Sequence, residues 1–413
     1  MNRLLPALLA VVSTATAANF DWPQFRGPER TDVSAETGLL QEWPAEGPKQ
    51  LWIYKNAGNG YSGPALVAGA LYTLGSRDGK EIALSLEADT GAERWATPLA
   101  DVLDNGWGGG PRGTPAVDGD KVYVITGSGA VACLEAKDGK VVWQHTMKEL
   151  GGNTPGWEYT ESILVDGDQV VCTPGGSKGA LAALDKKTGD TLWQSKEFTD
   201  GAQYSSIIPA VLNGQPQYVQ RSQTNVVGIS AKDGALLWKV PYPGKTAVIP
   251  TPIVKGNQVY VTAGYGVGSL SFVVEKGNET VPVFDETAAT NKVMKNHHGG
   301  VVLVGDFLYG YSDGVGWTCQ DFKTGGLVWA EKAKLGKGAV TYADGMLYCL
   351  DESKGTVVLI EASPKGWAEH GRFTLDPLSQ IRSKQGHIWT HPVISNGRLY
   401  LRDQDLIYCY AVK

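Results

Sequence analysis

One phrase recurs along this 413-residue chain: a short strand, an acidic or lysine-rich turn closed by Thr-Gly or Asp-Gly, and a tryptophan four residues after the glycine. The clearest copies are Ser85–Trp95, Cys133–Trp143 and Ala183–Trp193, and Gly228–Trp238 and Cys319–Trp329 repeat it. Internal periodicity of this length constrains the architecture more than any other feature. Each unit is too small to bury its own apolar face, so neighbouring units must stack to make a core.

The tryptophans at 52, 95, 143, 193, 238 and 329 are separated by 43, 48, 50, 45 and 91 residues. The last gap holds two periods, with Phe284 where a tryptophan is missing, and a final copy ends at Phe373. Units of 40 to 50 residues built only of strands are the blades of a β-propeller. A second phrase gives the same count. Apolar strands joined by Gly, Asn or Asp turns to strands carrying Tyr recur eight times, as in Pro64–Tyr72, Pro115–Tyr123, Pro252–Tyr260 and Pro392–Tyr400. This is hairpin chemistry, and helical periodicity is nearly absent beyond residue 50. The chain is therefore expected to be all-β, an eight-bladed propeller.

Its ends complement one another. Gln50–Tyr54 reads as the last strand of a blade with no earlier strands before it, and the segment from His391 to Lys413 supplies three strands without a tryptophan strand. Pairing them closes the ring and protects the edges an open sheet would expose. The expected organisation is a leader at 1–17, an N-terminal extension at 18–47 and one propeller at 48–413.

The leader reading rests on Arg3, the apolar run Leu4–Val12 and the small-residue site Ala15-Thr16-Ala17. That run is too short to span a bilayer, and no cysteine follows it to carry a lipid. The expectation is an exported bacterial protein, periplasmic or extracellular, with neither membrane span nor lipid anchor. A net charge of −6 with scattered basic residues argues against nucleic-acid binding. Cys133, Cys319 and Cys409 share one repeat position and Cys172 and Cys349 another, which reads as small buried thiols rather than disulfides or a metal set.

The repeat tryptophans are expected to be structural, each ring packed between sheets with its Nε1–H on a neighbouring carbonyl. Removing one should cost ~3–5 kcal/mol. The segments preceding each first strand converge on the channel and are unusually aromatic and polar. They carry Trp107 and Arg112, then Trp157, Glu158 and Tyr159, then Tyr204, then His297 and His298, then His387, Trp389 and His391. These are the candidate ligand-binding residues, a mouth where a small planar or sugar-like ligand or a peptide would stack and hydrogen-bond. A wet channel lined by polar groups explains the same composition. Arg112 suits a carboxylate or phosphate, or equally a structural tie between blades. His297 and His298, adjacent on a strand, should point to opposite faces, which disfavours a metal site. Glu158 and Glu161, three apart, should also diverge, disfavouring a paired-carboxylate hydrolase.

The phrase at Ala183–Trp193 resembles the tryptophan-docking repeat of quinoprotein (PQQ-like) propellers, over about residues 43–413. Asp21-Trp-Pro-Gln-Phe-Arg-Gly-Pro28 with Glu36-Thr-Gly-Leu39 looks like the N-terminal signature of exported members. The resemblance implies one of two branches, dehydrogenases holding pyrroloquinoline quinone and calcium in the channel, or non-catalytic propellers such as the outer-membrane assembly lipoprotein. The sequence lacks the adjacent cysteine pair of the first branch and the anchoring cysteine of the second. The leading expectation is a non-catalytic binding scaffold for a protein partner or small ligand at the channel mouth. The alternative is a PQQ-dependent alcohol or sugar dehydrogenase with an atypical site, in which Trp107, Trp157 or Trp389 stacks on the quinone and Arg112 or a histidine holds its carboxylates.

Overall fold

The computed structural model describes residues 19–284 and 290–413, so the expected leader at 1–17 lies outside the described residues. Eight sheets succeed one another along the chain, each built on four antiparallel strands. Their first strands are Ala65–Val67, Ala116–Asp118, Leu164–Asp166, Ile208–Leu212, Ile253–Lys255, Val301–Val304, Gly338–Ala343 and Val393–Ser395, which begin blades 1 to 8. First strands of neighbouring blades meet one another, which places them nearest the axis. Among the described residues there is no helix. The eight-bladed propeller expected from the repeat is the observed fold.

Blade 8 closes as anticipated. Its fourth strand is Gln50–Tyr54, paired antiparallel with Leu406–Ala411 so that Trp52 faces Cys409. The core is divided into eight clusters, each shared by two neighbouring blades. The cluster joining blade 8 to blade 1 holds Trp52, Leu71, Leu84, Tyr400 and Ile407. Arg402 reinforces that seam from inside. It is buried, and its guanidinium donates to the Ser62 carbonyl, Thr73 Oγ1 and the Leu74 carbonyl of blade 1.

The repeat phrase earns its regularity at these seams. Trp52, Trp95 and Trp143 donate Nε1–H to the carbonyls of Ala88, Ala136 and Lys186 in the following blade, at 3.1, 3.0 and 3.0 Å. Trp329 reaches Ser363 in the same way. Two copies depart: Trp238 bonds Gln217 of its own blade, and Trp193 Nε1 has no hydrogen-bond partner. After Trp238 comes the degenerate repeat. There Phe284 stands in for tryptophan and packs on Gly325 and Tyr260. The glycine of each phrase does more than turn the chain. Gly91 sits at φ +71°, and a Cβ there would lie 2.6 Å from Trp52 Cε3, so the turn and the docking surface are one residue. All five cysteines are free and buried.

The first part of the segment read as an extension, from Trp22 to Ser34, lies inside the ring, and the rest runs out to the fourth strand of blade 7, where Trp43 N donates to the His370 carbonyl. Trp22 exchanges backbone hydrogen bonds with Leu66 of blade 1, and the Pro23 carbonyl accepts from Val117 N of blade 2. Arg30 donates to the Ser162 and Ile163 carbonyls at the entry of blade 3, and Arg26 to the Val301 carbonyl of blade 6. Val33–Ser34 adds a parallel fifth strand inside Gly338–Ala343 of blade 7. His391, at the entry of blade 8, contacts Asp32 at 2.8 Å. One loop thus touches six of the eight blades and plugs the channel. Its Arg26, Arg30 and Asp32 are buried, and Arg26 pairs with Asp32 at 2.6 Å. Burial lowers the Arg30 pKa to about 10. Charges this deep need partners; the plug and ring supply most of them jointly, while Arg30 Nε and Asp32 Oδ1 have no hydrogen-bond partner.

Candidate functional site

Because the plug fills one end of the channel, the other end becomes a cavity with a floor. Its volume is about 230 Å³, the scale of a small ligand or a single side chain rather than a folded domain. Trp22, Phe25, Arg26 and Asp32 form the floor, and the connections entering blades 1 to 6 and 8 form the walls. Trp107, Arg112, Trp157, Tyr204, His297, His298, Trp389 and His391, all expected at the mouth, line it.

Arg112 holds the centre of one wall. Its guanidinium carbon lies 4.4 Å from the centroid of Tyr61 and 5.9 Å from that of Trp389, and these rings are 4.8 Å apart. One amino group donates to the Gly108 carbonyl at 2.7 Å, while Nε has no hydrogen-bond partner. Cation–π contact with two rings fixes the plane of the fork. Behind it Glu158 sits 4.0 Å from Nε, buried, at φ +66°, with neither carboxylate oxygen hydrogen-bonded. Burial pushes its pKa up to about 7, with Arg112 opposing and Glu81 adding to the rise. Gly127 separates Glu158 from Glu81, and a Cβ there would fall 2.8 Å from Glu81 Oε1. With a pKa of about 7, Glu158 is about half protonated at neutral pH and balances Arg112 only in part.

The opposite wall is built from histidines, and here the strand argument fails. His297 and His298 both line the cavity, with ring centroids 4.7 Å apart, because they lie in the loop before Val301–Val304 rather than on the strand itself. His297 Nε2 is 2.7 Å from the Tyr265 hydroxyl and Nδ1 is 2.8 Å from Lys337 Nζ. Lys337 in turn pairs with Asp313 at 2.8 Å. Burial, then His298 and Lys337, lower the His297 pKa to about 3. His298 Nε2 lies 2.8 Å from Glu352, and burial pushes the histidine down and the carboxyl up, both toward their neutral forms.

Three expected residues stand elsewhere. Tyr159 points away from the mouth into the core between blades 2 and 3, its hydroxyl on the Pro174 carbonyl. His387 flanks Trp389 at 5.9 Å and reaches Ser353, outside the lining. Glu158 acts from behind Arg112. Glu161 diverges from Glu158 as expected, accepting from Thr173 N and Oγ1, and burial raises its pKa to about 7. The sequence reading missed Phe25, Arg26 and Asp32, which come from outside the repeats, and Tyr265, Asp313 and Lys337, which come from blade hairpins and entries without a distinctive motif. Tyr61 stood in a mouth segment, and its aromatic character was the available signal.

Calcium takes six to eight oxygen ligands, carboxylates foremost. The only carboxylate lining the cavity among the described residues is Asp32, already held by Arg26 and His391. The donor set does not fit calcium, although the stacked Arg112 and its aromatic neighbours suit a planar anion. Among the described residues no three His, Cys, Asp or Glu side chains come together as a metal-holding group, and no helix is long and apolar enough to cross a membrane.

The family described as "Outer membrane protein assembly factor BamB" matches residues 78–331. The assembly factor BamB of Shewanella oneidensis is 26% identical over 218 residues, covering 50% of this chain and 49% of that protein. The first curated relatives are spanned over only 19% to 56% of their length. Among solved structures, BamB from Moraxella catarrhalis superposes with a TM-score of 0.60 at 17% identity, covering 88% of this chain and 97% of that one. Quinohemoprotein alcohol dehydrogenase from Comamonas testosteroni gives 0.60 at 10% identity, covering 95% and 80%. At such identities the likeness is one of fold.

Proposed function

We propose, for a chain that belongs to the family of PQQ-like propellers described as outer membrane protein assembly factor BamB, that it works as a binding scaffold without catalysis, taking a carboxylate group at the channel mouth. The carboxylate is carried by a small planar ligand or by a side chain of a partner protein. One observation carries the reading: Arg112, clamped over Tyr61 and Trp389 at 4.4 and 5.9 Å, lines a cavity whose floor is sealed, and the carboxyl behind it, Glu158 at 4.0 Å from Nε, makes no hydrogen bond to it. The plug supports a receptor rather than a conduit, since nothing needs to pass through. Residues 1–17 and relatives named for the outer membrane support export, and the mass of the mature protein recovered from a periplasmic fraction tests it.

The test of the site is a titration of the full chain with benzoate and with neutral benzamide, read by the fluorescence of the mouth tryptophans. Benzoate should bind more tightly, and Arg112→Gln, checked for an unchanged fold by circular dichroism, should weaken benzoate about tenfold or more, the scale of a charge-assisted hydrogen bond. An acidic peptide that competes with benzoate assigns the mouth to a protein partner. Equal binding of acid and amide in both proteins would overturn the proposal. The dehydrogenase reading draws on relatives such as the quinoprotein ethanol dehydrogenase of Pseudomonas putida, but no observation at the site favours it over the scaffold.

A further inference from the structure

The histidine wall contains a polar chain that the carboxylate reading leaves unused. Four side chains from three blades are joined end to end, from Asp313 through Lys337 and His297 to Tyr265, each link 2.7 or 2.8 Å long. Tyr265 lies in the hairpin between Gln258–Ala263 and Gly268–Val274 of blade 5, His297 and Asp313 belong to blade 6, and Lys337 precedes blade 7. Such a chain has a direction, and elementary donor counting gives it.

An ammonium group only donates, so Lys337 donates to His297 Nδ1, and Asp313 accepts from the same ammonium. The Nδ1 atom therefore carries no proton. The ring is neutral, since burial and the neighbouring Lys337 charge hold its pKa near about 3, and its single proton resides on Nε2. That N–H donates to the Tyr265 oxygen, which leaves the tyrosine's own proton free for another acceptor. Burial raises the Tyr265 pKa, so the proton stays on. Tyr265 is 37% exposed, lines the cavity and is held at φ +55°, an unusual conformation for a bulky residue. Gly264 makes room for this: a Cβ at 264 would lie 2.7 Å from the Cα of His297.

We propose that Tyr265 donates its hydroxyl proton to a neutral acceptor oxygen on the ligand, three blades round the ring from Arg112. The recognised class is then a carboxylic acid that carries a second, carbonyl-type oxygen. The two-point form of the proposal rests on the carboxylate reading of Arg112, while the Tyr265 donor stands on its own wire. His297 and Lys337 are positioning residues: they orient the hydroxyl and do not touch the ligand. Other arrangements of the wire would leave Tyr265 donating to His297 instead, and would give the cavity no donor on this side.

The experiment uses calorimetric titration of the full chain with three probes: 4-acetylbenzoate, its apolar isostere 4-isopropylbenzoate, and acetophenone. The wild type should prefer the acetyl acid five- to tenfold, the scale of one hydrogen bond. Tyr265→Phe should erase that preference and leave 4-isopropylbenzoate binding unchanged. Lys337→Met, which keeps the tyrosine, should also erase it, because Nδ1 is released and His297 is free to accept from Tyr265. Nitrogen-15 spectra of the histidines report this directly, showing an Nε2–H ring in the wild type and its loss in Lys337→Met. If neither acid binds yet acetophenone binds in a Tyr265-dependent way, the carboxylate reading falls and the Tyr265 donor stands. If the acids bind equally in the wild type, or the His297 proton is found on Nδ1, the Tyr265 inference falls and the carboxylate reading is untouched. If no probe binds at all, both fall.

Discussion

Replacing Gly91 with alanine isolates what the repeat glycine contributes to the ring. Gly91 has φ +71°, and Gly79, in the same blade, has φ +75° with nothing within 4 Å of a built Cβ. Both variants incur the left-handed penalty of an L-residue, roughly 1–2 kcal/mol. Only Gly91→Ala also drives a methyl group into Trp52, at 2.6 Å from Cε3 and 2.8 Å from Cδ2. The ring must retreat by most of an ångström to restore ordinary contact. It is buried, and its Nε1–H sits 3.1 Å from the Ala88 carbonyl, so retreat weakens that bond as well. Overpacking of this kind costs about 1–3 kcal/mol and the hydrogen bond about 1 kcal/mol. Gly91→Ala should therefore destabilise by about 3–6 kcal/mol and Gly79→Ala by about 1–2 kcal/mol. Urea unfolding followed by tryptophan fluorescence gives both values, with the denaturant slope as a check that the same surface unfolds. A double-mutant cycle sharpens the test, because in a Trp52→Ala background the two glycine substitutions should cost the same. Equal losses in the wild-type background would refute the docking account and reduce the glycine to a turn device.

Deleting residues 50–54 should lower the thermal midpoint of the whole ring in one transition, since it removes the strand that pairs with Leu406–Ala411 and the Trp52 seam. Local loss of a single blade with the rest unchanged would contradict closure by that strand. Arg26→Met should cost about 3–5 kcal/mol, because it strands Asp32 in the channel with His391 alone. The double variant Arg26→Met/Asp32→Asn should recover much of this in thermal unfolding. Glu158 has a folded pKa of about 7 against an ordinary 4.5, so the folded state holds its proton more tightly. That contribution is complete below about pH 4.5 and is lost as pH rises through about 7. Glu158→Gln should thus match the wild type near pH 4.5 and exceed it by up to about 3 kcal/mol above pH 8. A gain that is the same at both pH values would show that the carboxyl is not held protonated by burial.

The ring was legible because its determinants repeat. A tryptophan four residues beyond a Thr-Gly or Asp-Gly, met again every 43 to 50 residues, encodes the same contact each time, and Trp52 with the orphan strands after His391 encodes the closure. The plug was not legible for the opposite reason. Arg26, Arg30 and Asp32 occur once, in a polar stretch that reads as surface, and their partners Val301, Ile163 and His391 are 275, 133 and 359 residues away. Nothing local distinguishes an arginine destined for solvent from one that donates to three buried acceptors. The mouth falls between these cases. Periodicity located the loops that converge on the axis, which is why Arg112, Trp157 and Trp389 were found, but side-chain direction in a loop does not follow strand alternation. His297 and His298 consequently share one wall, and Tyr159 turns into a seam. Repetition specifies where a propeller opens, whereas the chemistry of the opening is written in the residues that break the repeat. Altering the plug and the entry loops should therefore change the chemistry of the mouth without touching a single docked tryptophan.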